Sequence, residues 1–226
     1  MVLEMGRGRL TSILYESVRN IWEKIYNHPF VVELYRGTLP LELFKFYVIQ
    51  DYNFLIGMVK AFSAIAVKTD DYVLIRKALE IAYNGISIEL DNYVKLLDKL
   101  GLKLEDVIKA EVSPTNYAYV NHILITCING STIDCLVSIL PCYWSYMEIA
   151  RVNDKLVETN RNELYLNWIN VYRSKEYISV VEDLKNTIDS LWSGGNVDRY
   201  VKIFRISSIY EYMFWDMSYR CERWSI

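Results

Sequence analysis

Apolar residues recur every three or four positions along nearly the whole chain, and no convincing run alternates with the period of two that a half-buried strand needs. Leu10, Ile13, Leu14, Val18, Ile21 and Ile25 define one face of a first helix, which His28-Pro29 breaks. Gly37-Thr38-Leu39-Pro40 reads as a turn with proline near the first position of the next helix. From Leu41 to Val67 the pattern predicts one long helix. Asp70 or Asp71 can cap another, running to about Leu100 and stopping at Gly101. A short helix fits Leu104–Lys109. Ser113-Pro114-Thr115 starts one that ends near Gly130, and Ser131 or Thr132 caps one that carries Pro141 and continues past Ile149. Asn162–Tyr172, Glu176–Trp192 and Asp198–Tyr219 complete the series, the last two separated by Gly194-Gly195. Val171–Val181, with its β-branched residues, is the one segment with a competing strand reading. The expectation is an all-α bundle of about eight to ten helices, one domain over residues 1–226.

Composition agrees with long elements: 9 Gly and 4 Pro in 226 residues leave few turns, where average usage gives roughly 16 and 11. With 25 basic and 28 acidic side chains there is no cationic excess to neutralise phosphates, so no nucleic-acid partner is expected. The longest uncharged run, Val112 to Ile133, contains Pro114, Asn116, Asn121, His122, Asn129 and Gly130, which argues against a membrane span. MVLEMGRGRL lacks the apolar core of a signal peptide. The four cysteines (Cys127, Cys135, Cys142 and Cys221) form no CxxC motif and are too few for a disulfide scaffold, so a reduced cytoplasmic protein is expected.

Isolated charges mark where chemistry can sit. Asp51 is the only charge from Phe46 to Val59, within a helix apolar nearly all round and therefore central. Glu211 is the only charge between Arg205 and Asp216, and Cys142 lies in a stretch with none between Asp134 and Glu148. A carboxylate in such a place needs a partner or an altered pKa. Either acid can instead be a hydrogen-bonded structural group that fixes helix packing. Cys142 can be a small buried hydrophobe, or a thiol exposed to a pocket by a kink at Pro141. Each group shares a helix face with an aromatic ring: Asp51 with Phe54, Glu211 with Phe214, Cys142 with Tyr146. That pairing suits a flat heteroaromatic ligand, stacked on its faces and hydrogen-bonded at its edge nitrogens. His28 and His122 are the only histidines; no HExxH, ExxH or Cys–His cluster occurs, and neither does GxGxxG or GxxxxGK[ST]. No metal or cofactor is expected.

Several segments resemble one family. HPFVVELYRGTLPLELFKFYVIQDYNFL (28–55), SPTNYAY (113–119), LPCYWSYMEIA (140–150), WINVY (168–172) and SSIYEYMFWDMSY (207–219) are similar, in order, to motifs of the TenA, or thiaminase II, family. The resemblance covers nearly the whole chain, and the joint occurrence of the motifs carries it. It implies a heme-oxygenase-like helical bundle, usually a homotetramer. It also implies hydrolysis of 4-amino-5-aminomethyl-2-methylpyrimidine to the 5-hydroxymethyl form and ammonia, with cleavage of thiamine as a further activity.

On this resemblance Cys142 is the nucleophile and places the chain in the cysteine-containing subgroup. Glu211 binds or protonates a ring nitrogen, and Asp51 holds the 4-amino edge and helps activate Cys142. Tyr119, Tyr146 and Tyr172 complete the hydrogen bonds and walls, with Phe214 over the ring. Phe54 stands where the family often has Tyr, and Tyr93 stands where it often has His. Two other readings go with the fold: a non-catalytic pyrimidine-binding or regulatory protein, and a cofactorless quinone-forming oxidase. The oxidase reading needs a basic pocket that these segments do not supply.

Overall fold

The computed structural model describes residues 8–225. The first helix, α1 (Leu10–Tyr26), buries the apolar stripe Leu10, Leu14, Val18, Ile21 and Ile25. His28 and Pro29 end it, and they also start α2 (Pro29–Arg36), an element the sequence did not reveal. His28 Nδ1 accepts from the Phe30 amide, Pro29 occupies the first helical position, and Gly37 closes the helix in the left-handed conformation (φ 78°).

The long helix expected from Leu41 to Val67 is α3 over those residues. Asp71 caps α4 (Tyr72–Asn84) by accepting from the amides of Val73 and Leu74. The single helix expected from there to Leu100 is not uniform. A five-residue π-helical segment, Gly85–Glu89, separates α4 from α5 (Leu90–Leu100). The short α6 (Leu104–Ile108) and α7 (Pro114–Asn129) follow. A capping box between Ser131 and Asp134 opens α8 (Thr132–Val152), which carries Pro141.

A 3₁₀ turn (Asp154–Thr159) leads to α9 (Glu163–Arg173), α10 (Lys175–Leu191) and α11 (Val197–Arg220). The ambiguous segment is the α9–α10 corner, where the Ser174 hydroxyl caps α10 through the Tyr177 amide. The described residues therefore form eleven α-helices, more than the eight to ten expected, and no strand. None of these helices is long and apolar enough to cross a membrane.

Packing places α3, α8 and α11 at the centre. Helix α3 lies along α4 and α7, while α11 contacts α1, α7 and α8. Helix α8 is buried without interruption from Ile133 to Pro141. Polar links fix the register between layers. Trp22 Nε1 donates to Ser208 Oγ (3.0 Å), and Arg199 makes a bidentate pair with Asp134 (2.7 and 3.1 Å). Gln50, beside Asp51, accepts from the Ser113 amide and Asn116 Nδ2 and donates to the Glu111 carbonyl. The start of α7 is satisfied from a distance: Glu222 accepts from the Thr115 amide and hydroxyl.

One expectation is corrected. Cys127 and Cys135 form a disulfide, so these two are not free thiols. The last turn of α7 and the first turn of α8 meet across the tight Gly130-Ser131 corner, which brings the two sulfurs together. Cys142 and Cys221 are free.

Candidate active site

A cavity of about 480 Å³ opens between α3, α5, α8 and α9. That is ample for a ligand larger than one ring. Helix α3 contributes Tyr47, Asp51 and Phe54; α8 contributes Cys142 and Tyr146; α9 contributes Trp168 and Tyr172. Five of the residues singled out in the sequence thus border one open space: Cys142, Asp51, Phe54, Tyr146 and Tyr172.

Glu211, Tyr119 and Phe214 do not border it. They form the layer behind, where Phe54 packs on both Tyr119 (5.0 Å between ring centroids) and Phe214 (5.6 Å). The Tyr119 hydroxyl donates to Glu211 Oε1. Glu211 is only 2% exposed, so its carboxyl is shut away from the open volume.

Tyr93, at the position of the expected His, does not face Cys142 as a base. Its hydroxyl donates a 2.7 Å hydrogen bond to the Val48 carbonyl and is tied to the α3 backbone. A hydrogen bond between the hydroxyls of Tyr47 and Tyr146 (3.2 Å) braces the aromatic wall.

The charges that act on Cys142 are all acidic. Burial, with the neighbouring Glu89 carboxylate, pushes Asp51 up to about 7. Burial likewise pushes Glu211 up to about 7, against a downward pull from the Tyr119 hydrogen bond. The Ser145 hydroxyl pulls Glu211 the same way, although it makes no hydrogen bond of full geometry. Burial holds the Cys142 thiol well above its ordinary value, and Glu211, Asp51 and Glu89 add to the effect. Lys95 and Lys99 also line the cavity, but their charges do not offset the acids at Cys142. The site therefore holds a neutral thiol near two carboxyls, Asp51 and Glu211, poised to exchange protons near neutral pH. Among the described residues, neither Asp51 nor Cys142 has a protein hydrogen-bond partner. No group of three or more metal-ligating side chains occurs among the described residues.

Sequence reasoning missed Glu89. It stands among Ile86, Ile88 and Asp91, a context that reads as a solvated helix face. Tyr47, Tyr143 and Tyr177 on the walls were also missed, since aromatic residues at helical spacing are usually core.

Fold and site together define a helical bundle built around an aromatic cavity that a thiol and two acids, Asp51 and Glu89, line. Residues 15–221 match the model of the TENA/THI-4/PQQC family. The chain belongs to that family. It is 31% identical over 215 residues to an aminopyrimidine aminohydrolase of Helicobacter pylori, covering 94% of this chain and 99% of that protein. A solved TenA homologue from P. horikoshii OT3 superposes with a TM-score of 0.91 at 42% identity, covering 94% of this chain and 99% of that one. A heme-oxygenase-like domain from Shewanella denitrificans superposes at 0.75 with 15% identity, covering 93% of this chain and 92% of that one, and so shares the fold.

Proposed function

We propose that this protein hydrolyses 4-amino-5-aminomethyl-2-methylpyrimidine to the 5-hydroxymethyl compound and ammonia, and that it also splits thiamine. The observation that carries this reading is a pair of groups without protein partners, the Cys142 thiol and the Asp51 carboxyl, on one aromatic cavity. The activity named for the Helicobacter pylori relative supports it.

Cys142 adds through sulfur to the ring carbon next to the one bearing the aminomethyl arm, and its proton passes to the substrate by way of the acids. The enriched ring then expels the leaving amine. Water attacks the exocyclic carbon, and the thiolate departs to restore the ring. Asp51 binds the 4-amino edge. Glu211 lies behind the wall, and its charge is the one felt most strongly at Cys142. We therefore assign it to the proton of the thiol, with ring-nitrogen contact requiring the Tyr119 hydrogen bond to open. Phe54, Tyr146 and Tyr172 hold the ring. A cationic substrate supplies the positive charge that the inner cavity lacks and so favours the thiolate. The same lack disfavours a polyacidic ligand, and with it the quinone-forming oxidase.

We further propose a cytoplasmic homotetramer. Exposed Tyr72, Tyr83, Ile86 and Ile88 along α4 and the π segment suit a subunit contact. Light scattering of the purified protein tests the assembly, and a monomer refutes it.

Ammonia release from the aminomethylpyrimidine tests the activity. Cys142→Ala is expected to lose about 100-fold or more while keeping product binding. Equal rates for wild type and variant refute the nucleophile. Tight binding of the hydroxymethylpyrimidine without turnover of any substrate supports the non-catalytic binding protein instead.

A further inference from the structure

The buried stripe of α4 is Leu74, Ala78, Ala82, and it continues into Gly85 of the π segment. At α-helical spacing it would go on through residues 89, 92, 96 and 99. The buried stripe of α5 instead runs Tyr93, Leu97, Leu100, one position later. The π segment absorbs the extra residue, which turns the helix by about 100°. As a result Glu89, Asn92, Leu96 and Lys99 leave the core and line the cavity. Gly85 makes room for this: a Cβ there would sit 3.0 Å from Val59 Cγ2 and 3.8 Å from Glu89 Oε2, so the carboxyl lies over the glycine.

We infer that Glu89 is a further catalytic residue: its carboxylate holds the exocyclic amine of the substrate as an ammonium, so that the nitrogen departs as neutral ammonia. This rests on the reading of the preceding subsection.

Three observations carry it. Glu89 borders the open cavity and has no protein hydrogen-bond partner among the described residues. It lines the same cavity as Asp51 and Cys142, with its own carboxyl reached by solvent, and its charge acts on both of those groups. The other groups near them are committed elsewhere. Asp51 is assigned above to the 4-amino edge, Glu211 is closed off behind the wall, and Tyr93 is tethered to Val48.

The step balances. The bond between the exocyclic carbon and nitrogen breaks with its electron pair going to nitrogen, and the ammonium leaves as NH3. The released ammonia, still held at Glu89, takes a proton from the water that adds to the exocyclic carbon. The sum is R–CH2–NH3⁺ plus water giving R–CH2–OH plus NH4⁺. Thiamine makes no such demand, because its thiazolium nitrogen is already cationic and leaves neutral without a proton.

The test compares wild type and Glu89→Gln on both substrates. We expect kcat/KM for the aminomethylpyrimidine to fall about 100-fold, and thiamine cleavage to change less than about 3-fold. Equal losses on both substrates, or no loss on either, overturn the assignment. Calorimetric binding of the aminomethyl and hydroxymethyl pyrimidines separates this inference from the activity itself. Wild type is expected to favour the charged ligand about 10-fold or more, and Glu89→Gln to lose that preference. An unchanged ratio overturns the role of Glu89 even if wild type turns over neither compound, a result that sinks the proposed activity separately.

Discussion

The Tyr119 hydroxyl donates a 2.6 Å hydrogen bond to Glu211 Oε1, joining α7 to α11 in the layer behind Phe54. The bond favours the ionised carboxylate and lowers a pKa that burial has raised to about 7. In Tyr119→Phe that pull is lost, so the pKa of Glu211 rises by about one to two units, in line with about 1.5–3 kcal/mol for a hydrogen bond to a charged group. Activity that needs the ionised form then fails at a higher pH as the solution is acidified. The acidic limb of the kcat/KM profile should move upward by about one to two units, and an unmoved limb contradicts the assignment.

Asp51 makes the site costly to keep. Its carboxyl is raised from 3.8 to about 7, so between those values the folded chain binds more protons than the unfolded one. Stability from this group is fully present below the unfolded value and is lost as pH rises through about 7. Asp51→Asn removes the ionisable group. We expect it to stabilise the protein by on the order of 2 kcal/mol at pH 8, tempered by cavity water, and by nearly nothing at pH 4. Thermal unfolding of both proteins at the two pH values checks the sign. A larger gain at acid pH would refute it.

Gln50 satisfies three groups at once: the Ser113 amide, Asn116 Nδ2 and the Glu111 carbonyl. Gln50→Ala strands them in a buried place, for a cost of about 2–4 kcal/mol. Denaturant titration should show the loss with little change in slope.

Gly57 permits the close approach of α3 and α7. A Cβ built there lies 2.7 Å from Val120 Cγ1. Gly57→Ala should cost about 1–3 kcal/mol by overpacking, and adding Val120→Ala should recover part of it. A fully additive pair of losses would place the strain elsewhere.

Much of this was legible in the sequence because isolated charge is informative. One acid in the fourteen residues from Phe46 to Val59 announced a buried carboxylate, and Asp51 does stand at the heart of the bundle. The same signal at Glu211 gave burial but not the side of the wall, since helical spacing fixes a face and not the depth of a neighbouring void. Glu89 gave no signal. Its orientation comes from one extra residue spread over a π turn, and Ile86, Ile88 and Leu90 in that stretch blur the shift of the apolar stripe that marks it. Helix α2 hid because proline and histidine, read as a break, also make a good start. The pairing of Cys127 with Cys135 depends on how tightly the α7–α8 corner folds, which a spacing of eight leaves open.

That corner has a consequence for the redox chemistry of the whole helix. Cys135 and Cys142 lie seven residues apart on α8, about 10 Å along its axis. One is already oxidised, and the other must remain a thiol if it is to attack a ring. Cys127 and Cys135 are fully buried, whereas Cys142 opens onto the cavity. Small reductants that enter with the solvent can restore a damaged Cys142 without meeting the disulfide. Thiol–disulfide exchange between the two sites is blocked by packed side chains, so a single helix keeps sulfur in two oxidation states two turns apart.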